Sequence, residues 1–184
     1  HYAQRLIDQV SRVALAIGLE IGEPGCRPNI LILADTDGNA LATRLVADSP
    51  QGFRPDRSSS NLGSEALRKF QTSGAPVRWW HVSQTVEVDT GEPATGGATI
   101  QVRGASRIRG NVRQDMTNVI VILDTSRIGS ISFGSLSDYV AMVSLAQIDA
   151  EAEMQSFPTV LNLFASETGD RNARMTQWDL DYLV

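Results

Sequence analysis

Two neighbouring segments constrain the fold most, "NVIVILD" at 118–124 and "SDYVAMVSLAQID" at 137–149. The first carries consecutive apolar residues from Val119 to Leu123. A run that is apolar at every position, not at alternate ones, belongs to a strand covered on both faces. The second is apolar nearly all round a helical wheel. Leu136, Val140 and Val143 share one face, and Tyr139, Met142, Leu145 and Ala146 occupy much of the rest. Asp138, Ser144 and Gln147 offer polar contacts. Such a helix is buried, and it is expected over 136–148. A buried helix directly after an interior strand calls for a layered α/β or α+β architecture.

The other elements fit around that pair. Leu6, Val10, Val13 and Ile17 mark one face of an N-terminal helix over 3–19, ended by Gly18. "PNILILAD" reads as a buried strand, and "GNALATRLVADSP" as a short helix stopped before Pro50. "NLGSEALRKFQTSG" reads as a helix with Ser64 as its candidate cap. "PVRWWHVSQTVEVD" reads as a strand or hairpin, and "TIQVRGASRIRGNVRQ" as a glycine-broken edge strand. "FPTVLNLF" is a short apolar segment. "MTQWDLDYLV" opens a last helix with Thr176 as N-cap and Asp179 at the third helical position. At 184 residues the expectation is a single domain with a mixed sheet of about four to five strands. The chain has no initiator Met, begins just before one helical pattern and stops inside another, so it is expected to be truncated at both ends.

Composition removes several function classes. A net charge of −5 argues against a nucleic-acid partner, which calls for a basic face. The single cysteine, Cys26, excludes an internal disulfide framework and a cysteine-rich metal site. No apolar run is long enough to span a membrane. Fifteen arginines stand against one lysine, Lys69, which reads as the codon usage of a GC-rich genome. There is no P-loop and no G-x-G-x-x-G, and "GSISFG" has the wrong spacing for a serine-nucleophile elbow. Cys26 and His81 are the one thiol and internal imidazole that could pair, and nothing in the spacing favours it.

Three stretches carry binding candidates. "ADTDGNA" places Asp35, Asp37 and Asn39 like the start of a calcium loop, yet Ala40 and Val46 fall where the loop needs Gly and Glu. It reads better as a strand end followed by a helix cap. "VRWWHV" sends Trp79 and Trp80 to opposite faces of a strand. With Arg78 and His81 one of them could form a stacking platform, and the plainer reading packs the second Trp under the helix at 62–72. "VRGASRIRGNVR" gathers Arg103, Arg107, Arg109 and Arg113 with no acid until Asp115. Charge of this kind blunts an exposed sheet edge, or it serves an acidic or extended partner.

The order of elements resembles that of the zincin metallopeptidases. An N-terminal helix precedes "NILIL", a glycine-rich strand precedes "NVIVILD", and the core helix follows. "TVLNLF" and "MTQWDLDYLV" then close the chain, the latter similar to the "LT-x-x-D-x-x-x-L" ending of matrixin-like members. The layout also resembles uncharacterised proteobacterial exported proteins with a similar helix. Zincins carry H-E-x-x-H-x-x-G-x-x-H on the core helix, where the histidines bind zinc and the Glu activates water. Laid over this chain, Asp138, Met142 and Ile148 fall on the ligands, Tyr139 on the Glu and Leu145 on the Gly. None matches, and the chain has only His1 and His81 as histidines. The resemblance therefore implies a degenerate zincin-like domain without zinc, cofactor or peptidase activity. In zincins the strand before the central one pairs with peptide substrate. That implies an extended peptide or protein partner at the Arg-rich edge strand. The candidate binding residues are Arg107 and Arg109 on that edge and Trp79 and His81 of "VRWWHV". It further implies a periplasmic or secreted setting. The alternatives are a hydrolase with a non-metal site, or a structural partner in an envelope complex.

Overall fold

A computed structural model describes residues 1–53, 63–88, 91, 112–165 and 170–184. Helix α1 spans Tyr2–Ala16 and strand β1 Ile30–Asp35. Helices α2 (Gly38–Asp48) and α3 (Gly63–Thr72) follow, then strands β2 (Val77–Glu87) and β3 (Val112–Asp124). Helix α4 covers Phe133–Leu145, a 3₁₀ helix Val160–Phe164, and α5 Gln177–Leu183.

The described strands form one sheet of three in the order β1-β3-β2, with β1 parallel and β2 antiparallel to β3. The apolar run in β3 divides by parity. Val119, Val121 and Leu123 meet α1 and α4 on one face, while Ile120 and Ile122 meet α2 and α3 on the other. This is the two-sided cover that a continuous apolar strand demands. The expected four to five strands are corrected to three among the described residues. Residues 77–87 form one continuous strand with a bulge at Val82/Ser83, not a hairpin. Residues 112–114, expected on a separate edge strand, begin β3 itself, where exposed Val112–Gln114 pair with Thr85–Glu87. The remainder of that expected strand, with Arg103, Arg107 and Arg109, lies outside the described residues.

The helix ends follow local chemistry. At the end of α1, Leu19 N–H bonds Ala14 O and Gly18 N–H bonds Leu15 O, with Gly18 at φ 81°. This double closure requires a left-handed residue, so Gly stands there. Asp37 caps α2 by accepting from Ala40 N–H at 2.9 Å. Thr176 and Asp179 form a reciprocal capping box on α5, as the sequence pattern predicts. Helix α4 starts three residues before its expected position, because Ser132 caps it by accepting from Ser135 N–H. It ends at Leu145, where Ala146 turns to extended backbone. The apolar pattern runs on because Ala146 and Ile148 remain buried outside the helix.

Candidate functional site

Helix α4 supplies the residues aligned with the zincin ligands, and their surroundings are packed. Asp138 is 2% exposed. Its Oδ1 accepts from Gln9 Nε2 at 2.6 Å, and its Oδ2 accepts from Arg174 Nε at 2.6 Å and Met175 N–H at 3.0 Å. One carboxylate thus joins α1, α4 and the approach to α5. The Asp138 bond holds the Arg174 guanidinium above its ordinary pKa. Met142 is fully buried in the core shared with α1. Tyr139 sits edge-on to Trp79 and to Phe164, and burial raises its phenol pKa, so the ring is neutral. Among the described residues no group of three His, Cys, Asp or Glu side chains converges as a metal site.

The tryptophan strand is also embedded on both faces. Trp80 packs against Phe53 and against Phe70 of α3. Trp79 faces α4, and its Nε1 donates to Ile148 O at 2.9 Å. His81 is fully buried, with Nε2 2.8 Å from Val143 O. A carbonyl only accepts, so Nε2 carries the hydrogen and satisfies one of the last carbonyls of α4. Burial lowers the imidazole pKa, and the Val143 bond opposes that in part. Arg78 is 4% exposed and reaches Asn39 Oδ1, Phe70 O and Ser73 O, with Asp124 at 3.9 Å. Burial lowers its pKa, against the Asp124 charge. Burial alone would raise the Asp124 carboxyl, but bonds from Ser126 and Gly38 and the charge of Arg127 hold it below its ordinary value. Trp79, Arg78 and His81 are therefore interior residues, not an exposed stacking platform. Cys26 is exposed and His81 fully buried, so the two sit in different environments. Asp35 and Asp37 are used in the turn into α2, where Asp35 Oδ1 accepts from Asp37 N–H.

Beside Trp79 lies a cleft of about 640 Å³ between α3 and the segment after α4. Val77, Trp79 and Tyr139 line its inner part. Ala66, Lys69, Phe70 and Ser73 form the α3 wall. Gln147, Asp149, Ala150 and Glu151 form the opposite wall. Lys69 Nζ donates across the mouth to Glu151 and lies 3.5 Å from Glu65 on its own helix. The Glu151 bond raises the Lys69 pKa, helped by the charge of Glu65. These three side chains are 42–70% exposed, so water screens them strongly. The volume falls within the range of cavities that bind small molecules and peptide side chains.

The structure thus brings Trp79 to this cleft and puts His81 in the core beneath α4. Arg107 and Arg109 lie outside the described residues. Arg113 is described, exposed, and paired with Asp115 at 2.8 Å. Sequence reasoning missed Lys69, Asp149 and Glu151. They come from separate segments, and their one sequence cue was that Lys69 is the sole lysine. No helix among the described residues is long and apolar enough to cross a membrane. No family model, curated protein or solved structure matches the chain.

Proposed function

We propose that this chain is a non-catalytic, zincin-like peptide-binding module of the cell envelope. The observation that carries the binding reading is the cleft, an open cavity with aromatic rings inside and charged side chains at its rim. Such a mixture suits a peptide, whose side chain takes the apolar interior while its polar groups stay at the mouth. The zincin-like layout draws support from the antiparallel strand beside the central one and from the core helix that follows it. The non-catalytic part rests on Asp138, whose oxygens are already bound by α1 and the approach to α5. The envelope setting comes from the sequence resemblance.

The test is affinity selection of a blocked tetrapeptide pool on the purified protein, read by mass spectrometry. Ala150 lines the cleft and is exposed, so Ala150→Trp fills the cavity without disturbing the core. The expected result is retention of intact peptides by the natural protein and none by A150W. Cleavage of the peptides, with or without added Zn²⁺, would replace this reading with a hydrolase.

A further inference from the structure

We infer that the cleft selects a peptide carrying a basic residue next to an apolar one, with Glu151 as the carboxylate that receives the cation. This rests on the cleft being the binding site and adds the chemistry of its ligand. The inner wall carries one cation, Arg78, and its two terminal nitrogens are engaged within the fold. Its guanidinium holds Asn39, Phe70 O and Ser73 O and faces Asp124. Tyr139 is neutral and adds no charge. The rim then holds Lys69 against Asp149 and Glu151, an acidic balance.

The partners of Lys69 decide which charge the ligand brings. Lys69 is shared between Glu151 across the mouth and Glu65 one turn back on α3. When a ligand cation takes Glu151, Lys69 keeps Glu65, and no charge is stranded. A ligand anion taking Lys69 would instead leave Glu151 without its cation and two residues from Asp149, of the same sign. Exchange of one cation for another at Glu151 is thus the less costly route into the cleft. Glu151 is 67% exposed, so an incoming group reaches it from solvent. Trp79 and Tyr139 meet the neighbouring apolar side chain.

The test uses three sets of N-acetylated, C-amidated tetrapeptides in which one Phe adjoins Arg, Gln or Glu. The Arg set is expected to bind about fivefold more tightly than the Gln set, the scale of one screened ion pair, with the Glu set weakest. Glu151→Gln should erase the Arg advantage, so that the Arg and Gln sets bind the variant equally. Equal binding of the Arg and Gln sets, or preference for Glu, would overturn the charge selection and leave the cleft as a peptide site. Absence of binding by all three sets would overturn the peptide-binding reading, and this inference with it.

Discussion

Asp138 and Glu151 both meet a cation, yet they belong to different kinds of region. Asp138, on α4, is buried where α1 and the approach to α5 meet that helix, and donors from both fill its oxygens. Glu151 stands exposed at the cleft mouth, bound to a lysine that has a second partner within reach. The first carboxylate is committed to the fold, since removing it leaves half-buried donors unmatched. The second can change partners at little cost, since water replaces what it loses. On the proposed reading, the helix that carries metal chemistry in zincins holds the fold here, and the proposed ligand chemistry lies at the cleft.

The largest effect that can break this comparison is at Asp138. Asp138→Ala removes the acceptor of Gln9, Arg174 and Met175 N–H. Arg174 is 60% exposed and recovers solvation, so the cost is expected at about 3 kcal/mol, mostly from the other donors. For a domain of this size that is a fall of roughly 6–12 °C in thermal midpoint. A change within a degree would mean that the junction is not held by this carboxylate.

A smaller effect comes from His81. Its pKa in the fold lies below the ordinary value of 6.5, chiefly through burial. The unfolded chain therefore takes up the proton first as pH falls. Stability contributed by neutral His81 is complete above about pH 6.5 and declines below it, at up to about 1.4 kcal/mol per pH unit. His81→Gln should flatten that slope between pH 6.5 and 5, as read by denaturant unfolding. The carboxyl of Asp124 titrates below its ordinary 3.8, so it acts in a separate, more acidic window. An unchanged slope in the variant would place the imidazole in contact with water.

Much of the fold was legible from residue pattern. The apolar run of β3 implied cover on both faces, and the structure supplies α1 and α4 on one side and α2 and α3 on the other. The Thr176–Asp179 spacing marked the start of α5 because a capping box is local chemistry. The start of α4 was missed because Ser132 caps it through Ser135, without the acidic partner that makes a box visible. Its end was missed because burial continues through Ile148 after helical backbone stops. The site was legible only in part. Trp79 stood out by composition, but the roles of Arg78 and His81 depend on Asp124 and Val143, distant in sequence. Lys69 and Glu151 meet across 82 positions, a pairing that no local pattern encodes.

The central claim, that ligands enter at the cleft while the α4 junction only holds the fold, is tested most directly by amide chemical-shift mapping with an Arg-bearing tetrapeptide. The account predicts perturbations concentrated at residues 66–79 and 147–151, with Gln9, Asp138 and Met175 unmoved. Perturbations centred on Asp138 and its partners, with the cleft silent, would contradict it.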